Sequence, residues 1–320
     1  MTPRLMPFVG LTRLAFTELV RQPVCLLIAL ASVALSTALP LMIAHQLGQQ
    51  GGLARDGALA FELTGGALLV AYAACSTLSR EMRSGTILTI LSRPIGRGTL
   101  FLAKFVAVAL LVVLFVLCSA CAALLAERLA PRYFETDWHG VRLLLVVPFA
   151  AFIPAALLNW RRGWNVTAWS WCFLVAALVV VTLALSRVDS EGHVGRLGEF
   201  LDWRLVPATV LIGAGLLILA AFALGLAAHL PLAPTVTILL VLLFASLLSG
   251  YLSQLTAHWP SVAATVRTLL PDLQRFWPDD DLVGDAPLGW RAVGLASLYG
   301  FVYTAGILCL GVAAFRNRQF

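Results

Sequence analysis

Charge is scarce in this chain. Of 320 residues only 12% are Asp, Glu, Lys or Arg, against about 25% in ordinary globular domains. Apolar residues make up 60%, with 25 glycines besides. Too little polar surface remains to wrap a water-facing core, so a soluble enzyme is excluded. Lysine is almost missing: Lys104 stands alone among 22 basic residues. The arginines sit at the ends of apolar runs. The net charge of +6 therefore points to a membrane surface and not to nucleic acid.

Other absences narrow the chemistry. Eight stretches are long and apolar enough to read as spans, and none holds a histidine. Apart from Arg142 at the very start of the fourth, the charged residues within them are Glu62 and Lys104, each four residues, about 6 Å, in from one end of its span. Lys104 is expected to snorkel to the inner surface, and Glu62 to reach the outer one. Ion-coupled carriers and intramembrane acid–base enzymes place such groups at the bilayer centre, so the pattern argues against both. Ser246, Ser249 and Ser253 have no base beside them and read as small packing residues. The six cysteines lie in apolar runs without alternating histidines. Cys118 and Cys121 share a helix face, but the set is read as packing and not as a disulfide or metal framework. The chain also lacks GxxxxGK[ST], so it cannot bind ATP through a phosphate loop. It is read as no enzyme, with no cofactor of its own.

What is present is an all-α integral membrane protein. A span needs about 20 mostly apolar residues. Spans are expected near 24–44, 58–78, 100–126, 142–158, 166–186, 205–228, 235–257 and 292–315. The fourth is short and holds Pro148 and Pro154. Basic residues crowd the short segments 79–99, 159–165 and 316–320. Eight spans put all three on the same side as the amino terminus, and seven do not. By the positive-inside rule both termini are cytoplasmic. Residues 1–23 read as an amphipathic helix on the inner headgroup layer. Arg13, Thr17 and Arg21 line one face; Phe8, Leu11, Ala15, Phe16 and Leu19 line the other. Pro23 breaks it before the first span. The longer outer segments carry mixed charge. Asp279, Asp280 and Asp281 are read as a solvated or capping run and not as a calcium site.

The segment 79–99 is too charged to span and too apolar for a plain linker. Ile87, Leu88, Ile90 and Leu91 recur at helical spacing, and Pro94 ends the run. Two readings stand on these residues: an ordinary basic loop, or a short surface helix offering charged side chains to a partner.

The pattern Glu81, Gly85-Thr86, Ile90-Leu91, Pro94-Ile95, Arg97, then Lys104, resembles the permeases of the ABC-2 type export family. In that family the segment is a coupling helix that docks on a separate ATP-binding subunit. The helix at 1–23 is similar to the family's elbow helix. Asp202–Pro207, Pro271–Trp277 and Ala314–Arg318 also resemble one branch of these permeases. Two departures are Ala103, where the family often has Gly, and eight spans where its commonest core has six. The resemblance implies a single permease domain over 24–320 that transports, usually outward, in a bacterial cytoplasmic (inner) membrane. ATP and magnesium would be held by the partner ATPase, and a permease homodimer or pseudo-dimer would enclose the path. It assigns ATPase coupling to Glu81, Gly85, Thr86, Pro94 and Arg97. Beside these, Arg13, Arg21 and Lys104 are interfacial residues that meet the lipid bilayer. A scaffold or assembly factor without transport is the alternative.

Overall fold

The structure is a computed structural model that describes residues 5–42, 50–83, 96–130, 146, 151–188, 193, 195–251, 270–277 and 289–316. Those residues form helices joined by turns, with no β-strand. Helix α1 spans Leu5–Val20. Its Arg13, Thr17 and Arg21 side are exposed while Ala15 and Leu19 are buried, as the spacing predicts. Pro23 opens α2, Pro23–Met42, where its missing N–H costs nothing. Next come α3, Gln50–Ala74, a single π-helical turn at Cys75–Ser79 and α4, Arg80–Arg83. Helix α5, Arg97–Leu129, is 33 residues and about 50 Å long, longer than a hydrocarbon layer of about 30 Å is thick.

The remaining helices are α6, Phe152–Arg162, α7, Val166–Leu185, α8, Leu205–Ala227, α9, Leu232–Leu247, and α10, Trp290–Arg316. Among the described residues six helices are long and apolar enough to cross a membrane: α2, α3 with its continuation to Met82, α5, α7, α8 and α10. Helix α9 is apolar but shorter, and ends ten residues before the expected 257.

The expected fourth span differs most. Residues 142–145 and 147–150 lie outside the described residues. What is described is the 11-residue α6, about 16 Å long, which is too short to span alone. It runs through Asn159–Arg162, expected as a loop. The local chemistry explains why. Arg161 and Arg162 sit in its last turn, where cations favour the carbonyl end of the dipole. Gly163 then adopts the left-handed conformation (φ 65°) that closes a helix. Asn165 caps α7 by accepting from the Ala168 N–H at 3.1 Å. Trp164 stacks on Trp169, and the Arg162 guanidinium lies 5.3 Å from the Trp164 ring.

Helix α5 is the hub, packed by α1, α2, α3, α7, α8 and α10. Helix α3 is held by α2, α5, α8 and α9. Lipid tails are as apolar as leucine, so close packing has to hold such a bundle. Small residues provide it. A Cβ on Gly66 would lie 2.4 Å from Leu216 of α8, and one on Gly65 would lie 2.0 Å from the Ser32 hydroxyl of α2. One end of the bundle, the α1 end, gathers Gln22, the π turn, the start of α5 and the end of α10. At the far end, the 3₁₀ turn Leu273–Phe276 wedges Phe276 against Gly215 and Gly300. Asp272 holds that turn, accepting from Ser249 at 3.0 Å and from Arg275 at 2.8 Å.

Candidate functional site

The α1 end carries the charged groups of the motif. Helix α3 widens there into the π turn, and such turns often sit at functional positions. The turn brings the Thr77 carbonyl and the Glu81 side chain to face α5. Lys104 lies two turns into α5, 4% exposed, and donates to the Thr77 carbonyl at 2.9 Å and to Glu81 Oε1. The expectation that Lys104 snorkels to the surface is corrected here. A cation on an apolar helix needs either water or partners, and partners on the adjacent helix end are closer.

Glu81 is correspondingly occupied within the chain. Its side chain is 14% exposed, against 5% for Lys104. The pair sits mostly out of water, where breaking one partner is far costlier than at a surface. The resemblance assigns Glu81 to ATPase coupling. In the structure its Oε1 accepts from Lys104.

Three further bonds gather helix ends around this pair. Tyr72 of α3 donates its hydroxyl to Gln22 Oε1 at 2.7 Å, tying α3 to the α1–α2 joint. Ser79 donates to the Leu230 carbonyl at 3.3 Å, just before α9. Arg97 donates to the Arg316 carbonyl at 3.1 Å, joining the start of α5 to the end of α10. Arg97 is thus fixed at the rim, beside a cavity of about 310 Å³ that Gly98, Thr99 and Val312 also line. A second cavity, about 400 Å³, lies against the π turn between Tyr72, Ser76, Arg80 and Leu232. Gly85, Thr86 and Pro94, with the helix expected over 87–91, lie outside the described residues. Arg13 and Arg21 are exposed on α1.

So the fold brings Glu81 and Lys104 together and sets Arg97 on a separate edge. Sequence reasoning did not find the Thr77 carbonyl or the Gln22–Tyr72 bond. The first is a main-chain atom made available by a widened turn, and the second joins residues 50 apart; neither leaves a local pattern. No group of three or more His, Cys, Asp or Glu that could hold a metal occurs among the described residues. A larger apolar cleft of about 610 Å³ lies between α5, α8 and α10, with Ser297 and Thr304 as its hydroxyl-bearing residues.

A family model described as ABC-2 family transporter protein matches residues 16–188, more than half of the chain and including the whole α1-end junction on α3 and α5. No curated protein matches it.

Proposed function

The chain belongs to the ABC-2 transporter family and is a multi-pass membrane component of an ABC transporter; on that premise we propose that it is an export permease moved by a separate ATPase subunit. The segment 79–99 is its coupling segment, and the Glu81–Lys104 pair at the start of that segment transmits the motion. The observation that carries this reading is the buried bond from Lys104 to Glu81 and the Thr77 carbonyl. It fastens the start of that segment to α5, the longest helix among the described residues. A push on that segment then moves α3 and α5 together. Glu81 acts as an internal brace, and Arg97 as the hinge post against α10.

In this reading the α1 end faces the cytoplasm, with Arg13 and Arg21 on the inner headgroup layer. Two permease chains pair around the path. ATP and magnesium bind the partner, whose closure switches the pair between two states. The test is co-purification. The tagged chain is extracted in mild detergent, and the ATP-binding subunit that comes with it is measured, beside Glu81→Arg and the exchange of Glu81→Lys with Lys104→Glu. Recovery with the natural chain, ATP turnover lost in Glu81→Arg and partly restored in the exchange are expected. An ATPase that never co-purifies, even after crosslinking, supports a scaffold without transport. Unchanged turnover in Glu81→Arg removes the brace.

A further inference from the structure

Glu62 stands in the middle of α3, 1% exposed, with both carboxylate oxygens buried and no hydrogen-bond partner among the described residues. From sequence it is expected to reach the outer surface. It does not, because α3 begins at Gln50, eight residues before the expected span. About 18 Å of helix therefore separates Glu62 from the far end.

Its level in the bundle follows from the packing register. Gly65 abuts Ser32 of α2 and Phe115 of α5, and Ala58 clusters with Ala123 of α5. These antiparallel pairings put Glu62 level with Ser119 of α5 and with Ala34–Ser36 of α2. Gly66 abuts Leu216 of the parallel α8, which puts Ile212 at the same height. Ser36 has spent its hydroxyl proton on the Ser32 carbonyl at 2.9 Å. The Ser119 hydroxyl is buried without a partner among the described residues. Two unsatisfied polar groups thus lie on facing helices at one height.

The helices packed on α3 bring no cation to that height. Among ionisable side chains α2 offers only the Cys25 thiol, and α8 and α9 offer none. On α5, Cys118 and Cys121 flank Ser119, Glu127 and Arg128 are about 12 and 14 Å further along, with Arg128 donating to the Val188 carbonyl, and Lys104 is about 22 Å back. On α3 itself, Arg55 is paired with Asp56 at 3.2 Å. An ionised carboxylate here would carry a desolvation cost of several kcal/mol with nothing to offset it. A neutral carboxyl removes that charge and supplies one O–H, for which the Ser119 oxygen is an acceptor at the right height.

We propose that Glu62 is a proton-binding site. The packed bundle holds a proton on its carboxyl, and the proton passes to water when the far ends of α2, α3 and α5 part. On release the O–H bond breaks, water takes the proton, and the carboxylate left behind is hydrated. Proton binding therefore favours the closed far end. The site belongs to this chain and does not depend on which ATPase joins it.

Infrared difference spectroscopy of the full chain in lipid vesicles tests this at neutral pH. The wild type minus Glu62→Gln is expected to show the C=O band of a neutral carboxylic acid, lost in the variant and shifted in D₂O. Carboxylate bands in its place overturn the proposal. Should Glu62→Gln fail to fold, dicyclohexylcarbodiimide gives the second reading on the wild type. Only the acid form reacts: its proton moves to a carbodiimide nitrogen while the carboxyl oxygen bonds to the central carbon. An adduct on the Glu62 peptide at neutral pH agrees with the proposal. Labelling confined to acid pH, as for a carboxyl in water, overturns it.

Discussion

Lys104 and Glu81 show how one residue pair sets an energetic scale. Both are largely withdrawn from water, so removing one partner strands the other. Lys104→Ala is expected to lower stability by about 3–5 kcal/mol, read as an earlier loss of monodisperse protein on heating in detergent. Replacing both, Lys104→Met with Glu81→Gln, should recover most of that loss, because no charge remains stranded. A double variant as unstable as the single one would show that the pair is not the source of the effect. Elsewhere, Tyr72→Phe removes a single bond to Gln22 and is expected to cost about 1 kcal/mol in the same measurement.

At the scale of elements, the contact of α2 with α3 rests on the absence of a side chain. A Cβ at Gly65 would press on the Ser32 hydroxyl, with the Phe115 ring 3.5 Å away. Gly65→Val is therefore expected to part α2 from α3 and cost about 1–3 kcal/mol through overpacking. Gly65→Val with Ser32→Ala, which removes the nearest atom, should be milder. Comparing the two melting midpoints decides it. At α6, Gly163→Val asks a β-branched residue to hold φ 65°. The expected outcome is a frayed α6 end and faster proteolysis between α6 and α7.

The whole molecule has two ends, and the proposed function gives each a side. With Cys172 and Cys309 replaced by serine, cysteines placed at Arg13 and at Arg196 report it. Both positions are exposed. A membrane-impermeant maleimide added to intact cells should label Arg196→Cys and spare Arg13→Cys. The reverse pattern would invert the orientation and with it the assignment of the α1 end to the ATPase. The far end closes over Glu62, so its opening and its protonation are properties of the bundle and not of one helix.

Composition by itself determined the class, because a chain with 12% charge can satisfy its backbone in a membrane only as helices or a closed barrel, and its long apolar runs select helices. The 21-residue and longer runs set most helices to within a few residues, and Arg13, Thr17 and Arg21 marked the outer face of α1. Glu81 and Lys104 were legible as members of one motif, since that pattern is local. What they do to each other was not, because 23 residues separate them and only the packing of α3 against α5 makes them meet. The same holds for Glu62. Its distance from the end of an apolar run suggested a surface residue, but α3 continues past that run and three other helices bury the position. A run of hydropathy records how apolar a stretch is. Where the helix starts, and which of its sides is covered, are decided by neighbours far away in the chain.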